Sequence, residues 1–286
     1  MDQPNNEALS ILTRISISDQ EYHEITALIY DRFGIILSEE KRSMVMGRLQ
    51  KYMRTNGYSS YSQYIDHLKS NNGYQALSSL IDNISTNYTF FYRENDHFDY
   101  FSRTVLPELT GRLAVRDKDI RMWCAACSTG EEAYTIMFCL MEHLGSAYGQ
   151  WNSGLLATDI SEKVLKIAQT GKYTSEQIEK VPLAIRNKYL KLKEPKIWEV
   201  TDKLKEEITF RRFNLMNRDF PFKKQFQVIF CRNVMIYFDQ PTREKLVKNF
   251  SDFLVPGGYL FIGHSESLRR TQDNLKYVMP SVYRKK

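Results

Sequence analysis

The sequence predicts an α/β fold: a doubly wound, mainly parallel sheet carrying a small inserted subdomain, preceded by an all-α domain. Three observations carry this. Up to Ile84 the apolar residues recur at helical spacing; from Ile120 short apolar runs alternate with helical segments; and a polar, lysine-rich piece from about 173 to 207 is too long for a single connection. The chain is therefore divided into a helical domain, 1–84, and an α/β domain, 85–286.

In the first domain "SDQEYHEITALIYDRFG" places Ser18 as an N-cap with Glu21 three residues on, a capping-box pattern. Tyr22, Ile25, Leu28, Ile29 and Phe33 follow at helical spacing, and Gly34 stands where a helix stops. "SEEKRSMVMGRLQKYMRTNG" repeats the design from Ser38 to Gly57, and "SSYSQYIDHLKSN" and "YQALSSLIDNIS" supply two shorter helices. On the second of these helices Arg48, Lys51 and Arg54 form a basic stripe, while Val45, Met46, Leu49 and Met53 cluster on another face.

In the second domain "IRMWCAA", "SGLLATDI", "ITFRRFNL", "FQVIFCRNV" and "GGYLFIGHSES" read as strands. "EEAYTIMFCLMEHL", "SEKVLKIAQTG" and "PTREKLVKNFSDFLV" are the helices between them. Ligands of such a sheet lie at the carboxyl ends of its strands.

The bulk numbers exclude several classes. With 42% hydrophobic and 26% charged residues, the 286-residue chain is globular rather than disordered. No apolar run approaches the roughly 18 residues of a membrane span, and "MDQPNNEALSILTR" lacks the basic and apolar regions of a secretory signal. Four cysteines without an export signal point to reduced thiols in the cytoplasm. The formal charge of +6 suits an acidic partner and equally an ordinary enzyme, so no nucleic-acid partner is read from it.

The chemistry centres on "WCAACSTGEEAYTIMFCLMEHLG", a strand, turn and helix. Gly130 lets backbone approach a ligand, and the helix behind it aims N–H groups there. Only one glycine is present, where a pyrophosphate-binding turn needs G-x-G-x-x-G, and no P-loop lysine follows. Glu131 and Glu132 repel phosphate; they suit a cationic or hydroxyl-rich ligand, or simply a helix N-terminus. Asp159 ends the next strand, 29 residues after Gly130, where a carboxylate can hold ribose hydroxyls or cap the helix near Ser161. Together they favour a phosphate-free nucleoside with positive charge, such as S-adenosylmethionine.

Asn214, just after "FRRF", can face an adenine edge, and Arg232, Asn233 and Tyr237 emerge from the apolar stem "FQVIFC". Asn233-Val234-Met235-Ile236-Tyr237 lacks the prolines that amino-group methyltransferases often carry there. Asn87, Thr89 and Arg93 alternate with aromatics in "STNYTFFYRE" and share a face if that segment is extended. Cys124-x2-Cys127 with Cys139-x3-His143 imitates a zinc spacing, but both outer cysteines sit in apolar runs and read as core.

In order and spacing, "ISTNYTFFYRE", "ACSTGEEAYTI", "ATDIS", "FNL", "IFCRNVMIYFD" and "PGGYLFIGHSES" resemble the motifs of the chemotaxis receptor methyltransferases, the CheR family. The resemblance covers nearly the whole chain. It implies a Rossmann-like S-adenosylmethionine-dependent methyltransferase domain, with the small inserted β subdomain, behind the all-α domain. It implies a cytoplasmic protein-glutamate O-methyltransferase acting on the signalling helices of chemoreceptors during sensory adaptation. The alternatives are an N-methyltransferase on protein or nucleic acid and a non-catalytic receptor-binding module.

By that resemblance the cofactor contacts are Asn87, Thr89, Arg93, Glu132, Asp159, Asn214, Leu215, Arg232 and Asn233. Arg93 orients the incoming carboxylate, Tyr237 lines the methyl-transfer site, no metal is required, and the product is S-adenosylhomocysteine. Arg48, Lys51 and Arg54 become the receptor-docking stripe. Some family members grip a C-terminal receptor peptide with a glycine-containing turn of the inserted subdomain. Here "YLKLKEPKIWEVTDKLKEEITF" has no glycine and carries Pro195, so the expectation is that no peptide tether is bound.

Overall fold

The computed structural model describes residues 16–70, 73–84, 87–113, 118–268 and 274–286. The opening stretch judged not to be a secretory signal, and the residues on the far side of the 84/85 boundary, lie outside these. Contacts divide the chain into two compact units, Met1–Ser85 and Thr86–Lys286.

Among its described residues the first unit has four α-helices. α1 (Asp19–Phe33) begins with the capping box: Ser18 Oγ accepts from Glu21 N at 3.2 Å, and Glu21 Oε2 accepts from Ser18 N at 2.9 Å. It ends at Gly34, whose φ of 68° is the left-handed stop. α2 (Arg42–Thr55) departs from expectation, since Ser38 makes no side-chain cap and a 3-10 turn, Glu39–Lys41, leads in. α3 (Tyr61–Lys69) is capped by Ser60, and α4 (Gly73–Ile84) closes the unit. Tyr22, Ile25, Ile29, Val45, Leu49, Met53, Tyr64, Leu80 and Ile81 are all buried.

Within the basic stripe Arg48 differs from the other two. Arg48 is half-buried, and its Nη1 donates to Ile84 O at 2.7 Å, serving an orphan carbonyl at the end of α4. Lys51 and Arg54 remain exposed.

From Asn87 the described part of the second unit runs through irregular backbone into α5 (Asn95–Tyr100). The path continues through π-helical turns (Phe101–Val105 and Leu109–Leu113) around α6 (Leu106–Glu108). β1 (Asp119–Ala125), α7 (Glu131–Leu144), β2 (Asn152–Asp159) and α8 (Glu162–Thr170) follow. The insertion comprises β3 (Lys172–Thr174), α9 (Leu183–Tyr189), β4 (Leu190–Glu194), β5 (Ile197–Val200) and α10 (Asp202–Lys205). β6 (Ile208–Arg212), β7 (Phe226–Cys231), α11 (Gln240–Phe253), β8 (Leu254–Ile262), β9 (Leu275–Met279) and β10 (Val282–Lys285) complete it.

The main sheet has the order β6-β2-β1-β7-β8-β10-β9. Its first five strands pair in parallel, and β10 runs antiparallel to both neighbours, a hairpin edge that the apolar pattern did not announce. The insertion folds as a separate antiparallel sheet, β3-β5-β4. α7 is apolar and buried nearly all round, which is how a helix reads when packed on several sides. Trp123 in β1 is fully buried among Phe213, Phe220, Phe222, Phe226 and Phe250, and its Nε1 donates to Thr158 Oγ1 at 2.9 Å.

From β1 the chain progresses outward to β2 and β6, then returns to the other side of β1 for β7 and β8. The order therefore reverses between β1 and β7, and the crevice at their carboxyl ends is where such a sheet holds ligands. Among the described residues no helix is long and apolar enough to cross a membrane.

Candidate active site

The turn from β1 to α7 is strained by design of its sequence. Ala126, Ser128 and Gly130 take φ of 71°, 50° and 99°. The cost is offset by backbone bonds: the N–H groups of Ala126 and Cys127 both donate to Thr158 O at 2.8 Å. Packing within the fold also requires a glycine at 130. A Cβ there would lie 2.9 Å from both Ala168 Cβ and Tyr173 Oη, so the glycine lets α8 and β3 close on the turn. Tyr173 Oη donates to Thr129 O at 2.7 Å from the same position.

The two glutamates part company. Glu131 is buried, burial pushes its carboxyl up, and its Oε2 accepts from Thr129 Oγ1 at 2.6 Å. Glu132 is half-buried and accepts from Arg232 Nη1 at 2.7 Å and from Cys124 Sγ at 3.3 Å. Of the pair, only Glu132 joins the network at the switch point.

Asp159 holds two pieces of backbone together. Its Oδ2 accepts from Ser128 N at 2.8 Å, fixing the turn, and its Oδ1 accepts from Ser161 N at 3.0 Å. The cap of α8 proper is Ser161, whose Oγ accepts from Val164 N. Asn214 forms a similar local turn, its Oδ1 accepting from Met216 N at 3.0 Å, and Leu215 beside it is half-buried.

The end of β7 carries the densest network. Arg232 is one of the expected cofactor contacts, and its guanidinium is wholly enclosed. It pairs with Glu132 at 2.7 Å and with Glu94 at 3.0 Å, donates to Arg93 O, and lies over the Phe98 ring at 5.2 Å. A buried cation between two carboxylates is the arrangement that keeps its charge tolerable. Asn233 follows with φ 59° and donates through Nδ2 to Glu94 Oε1 at 3.0 Å.

Glu266, beyond the end of β8, supports the same loop. It accepts from Gly263 N at 2.6 Å, Asn233 N at 3.1 Å and Ile236 N at 3.2 Å. Burial pushes its carboxyl up, while these backbone donors pull it back. Neither Glu94 nor Glu266 was singled out in the sequence. Glu266 offers the same signal as Asp159, an acid just past an apolar strand; Glu94 offers none of that kind.

The segment 87–94 is not extended throughout. Arg93 N then closes a turn on Phe90 O at 3.3 Å, and Tyr92 and Glu94 take φ of 58° and 56°, so Asn87, Thr89 and Arg93 do not share one extended face. Arg93 Nη1 donates to Tyr88 O at 2.6 Å, with its guanidinium 5.6 Å above the Tyr88 ring. Asn87 is exposed, and its carbonyl accepts from Ser128 Oγ at 3.4 Å, which ties the segment to the glycine turn. Thr89 is half-buried, as is Tyr237, which lies in a 3-10 turn, Met235–Tyr237.

All four cysteines are buried free thiols, and His143 instead meets Thr110 Oγ1 at 3.0 Å. Among the described residues the grouping with metal-ligand spacing is Glu94, His97 and His264, with ligand atoms within 4.8 Å of one another. Arg232 already occupies the Glu94 oxygen at 3.0 Å, which opposes a second cation there. A cleft lined by Asp119, Arg121, Asn152 and Lys224 opens at the other end of the sheet, by the amino ends of β1 and β2.

A parallel sheet with a reversed hairpin edge, a single-glycine turn and acids past the first two strands defines a nucleoside-binding methyltransferase domain. The comparisons are specific. Residues 87–283 match the family model "CheR methyltransferase, SAM binding domain", and residues 20–85 match "CheR methyltransferase, all-alpha domain". A chemotaxis protein methyltransferase of Borreliella burgdorferi is 41% identical over 272 residues, covering 95% of this chain and 96% of that protein. One from Escherichia coli K12 is 34% identical over 278 residues, 96% and 94% respectively, and one from Salmonella typhimurium 35% over 262 residues, 91% and 88%. The chain belongs to the CheR methyltransferase family.

Proposed function

We propose that this chain is a chemotaxis protein methyltransferase that esterifies glutamate side chains of chemoreceptors, using S-adenosylmethionine held in the crevice at the carboxyl ends of β1, β2, β6 and β7. The observation that carries the reading is the charge of that crevice. Glu132 and Asp159 stand at its base, the buried Arg232 is shared between Glu132 and Glu94, and the glycine turn lacks the features that take phosphate. A cationic nucleoside fits; a dinucleotide does not.

The bound cofactor supplies a methyl group on a sulfonium, and the receptor carboxylate displaces sulfur from that carbon, leaving a thioether and a methyl ester with no proton transferred. An exposed glutamate has a pKa of about 4.3, so the nucleophile is ionised at neutral pH without a base. The protein's work is alignment and partial dehydration. Asp159 and Glu132 hold the nucleoside, Asn214 and Leu215 face its base, and Asn233 with the backbone of Arg232 forms the opposing wall. Asn87 and Thr89 close over the turn. Arg93, braced on the Tyr88 carbonyl, orients the incoming carboxylate, and Tyr237 lines the transfer path. No metal enters this scheme.

The acidic receptor helix docks on Lys51 and Arg54 of α2, without Arg48, which is committed to α4. The edge strand β4 is not a tether site: its hairpin turn with β5 is Pro195-Lys196, Lys196 has φ 66°, and no glycine offers an open backbone. The protein works in the cytoplasm, where receptor signalling helices lie. Calorimetry with S-adenosylhomocysteine tests the cofactor site; saturable binding is expected, and none contradicts the reading.

A further inference from the structure

Glu94 has no part in the chemistry above, yet separate walls of the crevice meet on it. It takes the left-handed conformation, φ 56°, immediately before α5. Its Oε2 accepts from Arg232 Nη2 at 3.0 Å and from the His264 backbone N–H at 3.1 Å, while Oε1 accepts from Asn233 Nδ2 at 3.0 Å. One carboxylate thus fixes the ends of β7 and β8. Arg232 carries the contact onward, because its Nη1 reaches Glu132 Oε2 at 2.7 Å in the first turn of α7.

The chemistry of the three neighbours requires a carboxylate. A guanidinium N–H, an amide N–H and a backbone N–H are all donors, so glutamine at this position would aim its own NH2 at a donor in either orientation. Turned one way it confronts Arg232 and His264; turned the other it forces Asn233 to flip and reverses what that amide presents to the crevice. His97 lies 3.7 Å from the same oxygen and is fully buried, but its imidazole is driven down to about 4, chiefly by burial, so it stays neutral and leaves the Arg232 pairing intact.

We infer that Glu94 is a positioning residue for methyl transfer: the chain Glu94–Arg232–Glu132, with its branch to Asn233, sets two of the side chains that face the cofactor, Glu132 and Asn233. This rests on the reading of the crevice as the S-adenosylmethionine site. It goes further, in assigning a role to a residue that touches neither reactant and in making the wholly enclosed Arg232 a connector. A carboxylate serving packing alone would influence stability, but not the affinity of the folded protein for its ligand.

The test uses the full-length chain and S-adenosylhomocysteine as the calorimetric probe, with circular dichroism confirming that each variant is folded. Glu94→Gln is expected to weaken binding about tenfold or more, the loss typical of hydrogen bonds to a charged group. In an Arg232→Gln background the same substitution is expected to cost clearly less than it does in wild type, because the route through Arg232 is gone and only the direct contact with Asn233 remains. If Glu94→Gln does not fold, Glu94→Asp keeps the charge but loses a methylene of reach, and it too is expected to weaken binding by at least about threefold. Folded variants that bind as tightly as wild type overturn the inference, as does an undiminished Glu94→Gln effect without Arg232. Wild type that takes no S-adenosylhomocysteine overturns the crevice reading first, and this inference with it.

Discussion

Replacing Asp159 with alanine removes two acceptors at once, from Ser128 N at 2.8 Å and Ser161 N at 3.0 Å. Ser161 is buried and Ser128 half-buried, so water replaces the lost bonds only in part. A hydrogen bond to a charged group contributes about 1.5–3 kcal/mol, and partial solvation of the Ser128 side brings the pair to about 3 kcal/mol. Urea denaturation should therefore show a stability loss of about that size. Asp159→Asn should recover less than half, because its NH2 must face one of the two donors. Affinity for S-adenosylhomocysteine should fall by a further tenfold or so, measured well below the unfolding transition. Stability within about 0.5 kcal/mol of wild type would refute the argument that this carboxylate holds the turn. A stability loss with full cofactor affinity would reduce Asp159 to a structural brace.

Gly130→Ala combines a left-handed φ with contacts of 2.9 Å, one of them to a residue on α8, and should cost about 2–4 kcal/mol. Gly47→Ala, helical and with nothing within 4 Å of the new Cβ, should gain up to about 1 kcal/mol; equal denaturation midpoints would contradict the packing account. His97, lowered from 6.5 to about 4 by burial first and then by Arg232 and His264, binds its proton more readily in the unfolded chain. Stability is accordingly intact above pH 6.5 and is lost as pH falls toward 4, by up to about 3 kcal/mol, and His97→Phe should flatten that slope. Matching slopes in the two proteins would remove His97 as the cause. Lys51→Glu with Arg54→Glu should lower the receptor methylation rate several-fold at low salt and leave cofactor binding untouched, with wild type converging on the variant as salt rises; equal rates at low salt would return these residues to an ordinary solvated surface.

Much of this was readable in the residues, and the boundary is instructive. The α1 capping box, the strand–turn–helix at Gly130 and the acid at the end of β2 were legible because each shows in a short run of neighbouring residues. What escaped depends on distance along the chain. Arg232 reads as a polar residue leaving a strand, and only the fold shows that Glu94, 138 positions away, and Glu132, 100 positions away, enclose it. Arg48 fitted a surface stripe by angle alone, until α4 placed an orphan carbonyl beside it. Gly130 shows in the sequence as a turn, but that Ala168 and Tyr173 close on it is visible only in the fold. The β9–β10 hairpin was missed because a two-strand edge carries short, partly exposed runs rather than the apolar runs of a buried parallel strand.

The central claim, methyl esterification of receptor glutamates, is tested most directly by incubating the purified chain with methyl-labelled S-adenosylmethionine and a chemoreceptor cytoplasmic fragment. The account predicts that label enters the receptor, that mild alkali releases it as methanol, and that replacing the modified glutamates by alanine abolishes uptake. Label that survives alkali, or a receptor that takes none while S-adenosylhomocysteine still binds, would contradict it.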